Sequence, residues 1–298
     1  MKIRNAFTML ELIFVIVVMG IIGKFGIEFL AQSYRGFIFS NVNSALQSKS
    51  AIAVEFIASR LQYRIKDSVI ARAGTAGAAT AVGSASGNTF TVLEWVSSDI
   101  DGYRATTTPN WSGIIDLNPS TVSLLDSPAT NTTATDNLIS LLSYGGSGVD
   151  DSALYFIGSN SDISTGYGWN GAVDTQLATM HPIKSTGDVT KFQPRVGSTG
   201  VANNFTNVDV YEYYKLAWTA NAIVYTPGAN SLGTLTFFYD YQPWNGETIA
   251  NAKSAVLMNG ISTFQFMAIG SIMKIQVCSR TDLVTEETYS ICKEKTIF

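Results

Sequence analysis

The sequence predicts an α+β protein, in which a long N-terminal α-helix packs on a C-terminal antiparallel β-sheet domain. Three patterns predict it: an apolar run near the N-terminus, an amphipathic helical period after it, and strand-like alternation in the last third of the chain. We therefore divide the chain into a short basic segment at 1–6, a transmembrane helix at 7–30, its amphipathic continuation at 31–72 and a β-rich globular domain at 73–298.

Composition narrows the class of protein. Of the 298 residues, 46% are apolar and only 14% are charged, and Gly, Ser, Thr and Asn are plentiful. That mixture is more typical of an extracytoplasmic β-rich domain than of a cytosolic helical enzyme. The formal net charge is −4 and no basic cluster occurs, so we expect no direct nucleic-acid binding.

The N-terminal segment has the pattern of a retained membrane helix. Lys2 and Arg4 precede the apolar run, which places the N-terminus in the cytoplasm by the positive-inside rule. The uninterrupted core from Leu12 to Gly23 extends on both sides to about 20 residues, enough to cross hydrocarbon. Ala6, the small residue beside the basic segment, comes before the run rather than after it. An ordinary secretory signal has the opposite order, so the helix is expected to remain on the mature protein.

One carboxylate, Glu11, lies near the start of this apolar helix. A carboxylate in hydrocarbon costs several kcal/mol unless something pairs with it, and a simple anchor has no need of one. The stretch Ala6-Phe7-Thr8-Met9-Leu10-Glu11, with the apolar run after it, resembles the class III leader and N-terminal helix of type IV pilins and type II secretion pseudopilins.

The resemblance implies specific processing and a specific role for Glu11. The prepilin peptidase would remove leader 1–6 by cutting between Ala6 and Phe7, and Phe7 would then be N-methylated. Ala6 departs from the Gly that is more usual in the family at that position. Glu11 would be the fifth mature residue and would pair with the N-terminal amine of a neighbouring subunit during assembly. The alternative is that Glu11 only contacts a lipid headgroup.

The helical period continues beyond the membrane segment. Apolar residues recur at helical spacing, and no Pro occurs before Pro109. The recurring positions are Val42, Leu46, Ala53, Ile57, Leu61, Ile65 and Val69. This pattern predicts one helix from about Phe7 to about Arg72, with an apolar stripe in its second part that must be covered by the rest of the chain.

The remainder predicts strands separated by long loops. We expect a flexible connection at 73–89, a strand at 89–96, loops at 105–136 and 158–200, strands at 137–144 and 153–157, and an antiparallel region with strands at 208–225, 234–241, 261–268, 271–278 and 285–292. Turns are predicted at Thr226–Asn230, Gly270 and Arg280–Asp282. Cys278 and Cys292 lie in neighbouring strands and predict a disulfide, which persists outside the cytoplasm. The alternative is two unpaired buried thiols.

Weaker similarities extend along the chain. The stretches 60–65, 235–240, 261–266 and 273–277 resemble the J-type minor pseudopilin of type II secretion or the W-type minor pilin. This implies a pilin-like fold and a subunit that initiates or caps a periplasmic pseudopilus or type IV pilus in protein secretion or DNA uptake. The implied location is the bacterial inner membrane, crossed once, with the C-terminal domain in the periplasm. The implied partners are other minor and major pilins or pseudopilins, the prepilin peptidase, the inner-membrane assembly platform and membrane lipid.

No group of residues predicts catalysis, so we expect neither a catalytic residue nor a cofactor. His181, the single histidine, is interpreted as a satisfied loop residue. Calcium remains an alternative at two acidic pairs, Asp99 with Asp101 and Asp150 with Asp151, but solvated turns explain them better. The glycine-rich stretch 145–148 is interpreted as a turn, and the aromatic runs 211–214 and 237–241 as cross-strand pairs rather than surfaces for sugars or bases. An adhesive or ligand-binding minor pilin at a fibre tip is the second functional hypothesis, and a tethered enzyme the third.

Overall fold

The computed structural model describes residues 8–85, 89–159, 162–195, 204–228, 231–284 and 287–298, with the side chains of 282–289 left out. The chain divides into two compact units, Met1–Ser48 and Lys49–Phe298. Helix α1, Met9–Leu61, supplies the described part of the first unit and the beginning of the second. The globular unit therefore starts inside the helix rather than at residue 73.

The predicted long helix is confirmed, but its predicted end at Arg72 is wrong. Helix α1 ends at Leu61 because Arg64 folds back, and its guanidinium Nη1 donates to the Leu61 carbonyl at 2.7 Å. A 3₁₀-helix at Lys66–Ser68 and a strand at Ile70–Arg72 follow. The apolar period continues beyond Leu61 for a different reason: Ile65 is buried in another core layer from Leu61.

Within the described residues, eight strands form a larger antiparallel sheet. In spatial order they are β14 (Glu287–Ile297), β13 (Ile272–Val284), β12 (Lys253–Ile269), β11 (Gly233–Tyr239), β10 (Thr219–Thr226), β3 (Val92–Ser97), β1 (Ile70–Arg72) and β2 (Thr80–Ala81). The strands expected at 234–241, 261–268, 271–278 and 285–292 correspond to β11–β14, with β12 starting earlier than expected. The single strand expected at 208–225 is wrong, because strand structure begins at Tyr214 and is divided between β9 (Tyr214–Ala217) and β10. Gly270, at φ +58°, makes the predicted turn between β12 and β13.

A second antiparallel sheet of six strands lies in the region that we expected to be mostly loop. Its order is β4 (Asp116–Thr121), β5 (Leu124–Asp126), β8 (Lys191–Pro194), β7 (Met180–Ser185), β6 (Ala153–Phe156) and β9 (Tyr214–Ala217). Only Trp218 separates β9 from β10, so the chain passes directly from the smaller sheet into the larger one.

Two local predictions are wrong. The strand expected at 137–144 is part of helix α3, Thr132–Leu142, whose N-terminus is capped by the Asn131 side chain accepting from the Ala134 N–H at 2.9 Å. The turn expected at Arg280–Asp282 is part of β13, because Arg280 pairs with Ser290 in β14. The other regular segments are α2 (Ile100–Arg104) and 3₁₀-helices at Val82–Ser84, Val149–Asp151 and Ile249–Asn251.

The larger sheet is buried on its two faces by different partners. On one face, the last turns of α1 contribute Ala53, Val54, Ile57, Ala58 and Leu61 to a core with strands β3 and β10–β14. On the other face, aromatic residues of the connecting segments, including Tyr167, Trp169 and Trp244, cover β3 and β10. A third core fills the smaller sheet. The prediction that the amphipathic part of the helix covers a sheet is confirmed.

Candidate functional site

The N-terminus of α1 is closed by a reciprocal pair of side chains. Glu11 Oε2 accepts from the Thr8 backbone N–H at 3.3 Å and lies 3.2 Å from the Thr8 hydroxyl, whose Oγ1 accepts from the Glu11 N–H at 3.3 Å. This is a capping box, in which residues three apart satisfy each other's free backbone donors. Sequence analysis assigned Glu11 to assembly and missed this local role, although the Thr-x-x-Glu spacing carries the signal.

The capping contact leaves Glu11 available to a further partner. Its bonds go to Oε2 alone; Oε1 has no hydrogen bond within the part of the chain that the structure describes, and the residue is exposed. Ala6 and Phe7, the predicted cleavage and methylation positions, lie outside the described residues, so both assignments stay predictions. The geometry therefore provides an accessible carboxylate four residues from the expected new N-terminus.

Behind Glu11, the helix presents apolar side chains in all directions. Most of the large apolar residues from Met9 to Phe39 are exposed, as Ile16 at 63% and Phe29 at 70% illustrate, while Val18 and Ile38 are half-buried. This helix is long and apolar enough to cross a membrane, a property that signal sequences and soluble core helices share. Lys24 and Glu28 approach each other to 3.9 Å, one turn apart on the helix. Glu11 and Lys24 therefore bound an uncharged segment about 20 Å long.

The predicted disulfide is confirmed. Cys278 in β13 lies directly opposite Cys292 in β14, and the two sulfur atoms are bonded across 14 residues of sequence. Cys278 is buried, whereas Cys292 is exposed on the edge strand. The bond thus ties the last strand of the larger sheet to its neighbour.

His181 is satisfied, as expected, but in a strand rather than in a loop. It lies on β7, 3% exposed, and its Nδ1 is 3.0 Å from the Gln176 carbonyl. Its ring packs 4.7 Å from that of Phe156. Burial lowers the pKa of His181 to about 4, so it is neutral at physiological pH. No nucleophile lies among these contacts, which are those of a structural residue.

The acidic pairs serve mainly as caps and turns. Asp99 Oδ1 accepts from the Gly102 N–H at 3.1 Å, and its Oδ2 accepts from the Trp111 indole at 3.1 Å. Burial raises the pKa of Asp99 to about 6. Asp150 accepts from the Ser185 backbone and hydroxyl. Among the described residues, no three or more His, Cys, Asp or Glu side chains gather where they could hold a metal ion.

The remaining motifs are also accounted for by packing. Gly145, at φ +78°, ends α3 by donating its N–H to the Ser140 carbonyl at 2.7 Å. Tyr214 is buried with its hydroxyl 2.8 Å from that of Ser127. The Phe237 and Tyr239 rings stack with centroids 5.6 Å apart. The aromatic run at 237–241 thus contributes both to the core and to the surface beside it.

Sequence analysis missed a buried ion pair between the strands of the larger sheet. Arg72 Nε on β1 donates to Glu94 Oε2 on β3 at 2.7 Å, and the Tyr241 hydroxyl donates to Glu94 Oε1 at 2.8 Å. Burial raises the pKa of Glu94, and Arg72 opposes that rise. The remaining Arg72 donors bind the carbonyls of Gly77 and Trp169. Since every group is bonded within the chain, this cluster is structural. An isolated Arg and Glu, 22 residues apart, carry no sequence signal of such a pair.

Comparisons with protein-family models, with curated proteins and with solved structures found no match to this chain.

Proposed function

We propose that this chain is a minor pilin or pseudopilin subunit that helps to initiate or cap a periplasmic fibre serving protein secretion or DNA uptake. The observation that carries the proposal is the accessible Glu11 carboxylate at the start of a helix whose large apolar side chains are mostly exposed. The proposal places the chain in the bacterial inner membrane, crossed once, with the sheet domain in the periplasm.

The exposed apolar surface of the helix supports an assembly role, because neighbouring helices can cover it in a fibre as lipid does in the membrane. Lipid covers the apolar side chains of a single inserted chain. In a fibre, neighbouring helices replace lipid, and packing rather than the hydrophobic effect holds them together. Such packing allows neighbouring helices to take several positions along the fibre axis. A charged pair between Glu11 of one subunit and the Phe7 amine of the next selects one position, since a misaligned subunit leaves a buried charge unpaired.

Two roles of Glu11 must be separated by experiment, because the residue also caps its own helix. We would compare Glu11→Val and Glu11→Gln with Thr8→Ala, which removes the capping partner and keeps the charge. Glu28→Gln, an exposed carboxylate on the same helix, is the matched control. The measurement is co-purification of each inserted variant with other minor subunits from membrane extracts. We expect both Glu11 variants to lose their partners and both other variants to keep them.

Two outcomes would contradict the proposal. Undiminished recovery of partners with Glu11→Val would remove the assembly role. Equal loss in Thr8→Ala and Glu11→Gln would show that helix capping, worth about 1 kcal/mol, explains the effect.

Processing is tested separately by mass spectrometry of the mature N-terminus, with and without the prepilin peptidase. A methylated Phe7 that depends on the peptidase is the expected result. An intact Met1 in both strains would show that the leader is not removed, and the helix would then be interpreted only as a membrane anchor.

An adhesive or ligand-binding minor pilin at a fibre tip is the second candidate function. The observation that favours it is an open aromatic cleft in the globular unit, lined by Tyr63, Tyr144 and Tyr239 among others. Access of antibody to the sheet domain on intact cells distinguishes the two candidates, because a tip adhesin is exposed outside the cell and a periplasmic subunit is not.

A further inference from the structure

A cleft of about 280 Å³ opens where several elements of the globular unit meet. The end of α1, the beginning of α2, the segment after α3 and the strands β10 and β11 contribute to it. Its lining combines five aromatic side chains, those of Tyr63, Tyr144, Trp218, Phe237 and Tyr239, with seven polar or charged residues: Arg60, Ser97, Ser98, Asp99, Asp101, Thr219 and Asn221. Concave sites with aromatic walls and convergent polar groups are typical of small-ligand binding.

The aromatic walls are held in place by contacts outside the cleft. Arg104 Nη2 donates to the Tyr63 hydroxyl, and the guanidinium carbon lies 5.0 Å from the centre of the Tyr63 ring. The Lys253 ammonium lies 5.9 Å from the centre of the Tyr144 ring, which is 84% exposed. Tyr144 has φ +52°, a conformation that side chains rarely adopt. Tyr144 is thus presented to solvent, Tyr63 and Tyr239 are half-buried, and Trp218 and Phe237 are buried.

A polar group without a partner lies in the lining of the cleft. Asn221 on β10 is 3% exposed, and its side-chain amide forms no hydrogen bond within the described residues. Trp95, directly opposite Asn221 on β3, is fully buried, and its indole Nε1 also has no partner there. A buried polar group normally finds a partner in the protein or in an ordered molecule. The Asn221 amide offers both a donor and an acceptor to whatever enters.

We propose that this cleft binds a neutral saccharide ring, an inference that does not depend on the proposed function. The aromatic rings offer flat apolar faces to the C–H surface of a sugar, and the Asn221 amide matches a hydroxyl that both donates and accepts. A nucleotide fits less well because its phosphate would meet two carboxylates. Arg60 lines the cleft, but so do Asp99 and Asp101. The cations beside the cleft are engaged, since Lys253 Nζ lies 2.8 Å from Asp240 Oδ2 and Arg104 donates to the Tyr63 hydroxyl. Phosphate binding would require a surplus of positive charge.

The test uses the full-length chain in a zwitterionic detergent that contains no sugar, because a glycosidic detergent would compete. Saturation-transfer NMR would be recorded with the methyl glycosides of glucose, galactose, mannose and N-acetylglucosamine. Titration of Trp fluorescence would give the dissociation constants. We expect at least one glycoside to bind with a dissociation constant of about 1 mM.

Three variants locate the site. Tyr144→Asn removes an exposed ring and keeps a residue that tolerates positive φ, and Asn221→Ala removes the free amide. Each is expected to weaken binding about tenfold or more. Tyr213→Asn is the matched control, because Tyr213 is a 58% exposed tyrosine that does not line the cleft, and we expect its affinity to equal that of the unmodified chain. Urea unfolding midpoints confirm that the variants are folded.

Three results would overturn the inference. They are no transfer to any of the four glycosides at concentrations well above the expected dissociation constant, equal affinity of Tyr144→Asn and the unmodified chain, and binding of a nucleoside monophosphate at the cleft in place of the sugars.

Discussion

The two parts of α1 differ in what their side chains contact, although they belong to one helix. In Met9–Ser48 most large apolar side chains are exposed and none is buried, whereas in Lys49–Leu61 one stripe is buried against the larger sheet and the opposite side is mostly polar. Ile16 is 63% exposed and Ile52 is 67% exposed, yet only Ile16 is surrounded by other exposed apolar residues. The exposed fraction of one side chain therefore does not show whether lipid or water surrounds it. The polarity of the neighbouring exposed side chains does.

The largest expected effect tests the packed part of the helix. Ile57 is fully buried in the core between α1 and the larger sheet. We expect Ile57→Ala to lower the free energy of unfolding by about 4 kcal/mol, because it leaves a cavity in that core. Ile52→Ala, one and a half turns earlier on the exposed side, is the matched control and is expected to change it by less than about 0.5 kcal/mol. Urea unfolding followed by Trp fluorescence measures both, and equal effects would refute the packing.

The second prediction concerns pH and applies only to the globular unit. Asp174 is 6% exposed, its Oδ2 has no partner among the described residues, and burial raises its pKa from 3.8 to about 7. Below about pH 3 the carboxyl is largely neutral in both states, so this group costs no stability there. As pH rises towards 7, the unfolded chain releases the proton and the folded chain does not, which lowers the free energy of unfolding by up to about 4 kcal/mol.

The Asp174→Asn variant isolates this carboxyl from the other titrating groups. It should flatten the decline of stability between pH 4 and 7, measured by urea unfolding at a series of pH values. An unchanged slope in the variant would show that Asp174 is not responsible. Membrane retention of the chain should not depend on this substitution at any pH.

The third prediction tests whether the first part of the helix is surrounded by lipid. A lysine at the centre of a membrane helix costs about 3 kcal/mol of insertion free energy. We expect Ile16→Lys to move a large share of the chain into the alkaline carbonate wash of isolated membranes. Ile52→Lys should stay with the membrane, since its position is equally exposed but has polar neighbours. Identical fractionation of the two variants would contradict the distinction between lipid-facing and water-facing parts.

The smallest effect is expected from the disulfide. Replacing both Cys278 and Cys292 with Ser should lower the free energy of unfolding by about 2 to 3 kcal/mol, because the bond closes a short loop. Reductant should have the same effect on the unmodified chain and none on the variant. Retention in the membrane should be unchanged in both cases. A loss of membrane retention on reduction would contradict this prediction, because it would show that the disulfide in the sheet domain affects the membrane helix.

Much of the helix and of the terminal sheet could be predicted from periodicity. The strands from β10 to β14 follow regular alternation, and Gly270 marks a turn that the backbone requires. The end of α1 could not be predicted, because Ile65 keeps the helical spacing while it packs on a different layer. The structure shows where the helix stops: the Ile65 N–H donates to the Val96 carbonyl on β3, and the Arg64 side chain bonds to the Leu61 carbonyl.

In the smaller sheet, β6 and β9 lie within the strands expected at 153–157 and 208–225, whereas β4, β5, β7 and β8 were missed because they lack strand-like composition. Strand β7 reads Met-His-Pro-Ile-Lys-Ser, and β4 contains Pro119. Such strands are short, and tertiary packing outweighs their weak intrinsic preference. In the opposite direction, 137–144 is apolar enough for a strand, but the cap at Asn131 begins a helix that buries Ile139. At the candidate site, the residue pattern identified Glu11, while its contact with Thr8 required the geometry.

The pairing of the first turns of the globular unit with its last strand has a consequence for biosynthesis. Lys295 forms an ion pair with Glu55, and Ile297 contributes to the same core as Ile57. Ribosomes deliver the helix before β14, so this core stays incomplete until β14 has emerged and paired with β13. The apolar stripe of the nascent chain therefore remains partly uncovered during that interval, which favours aggregation.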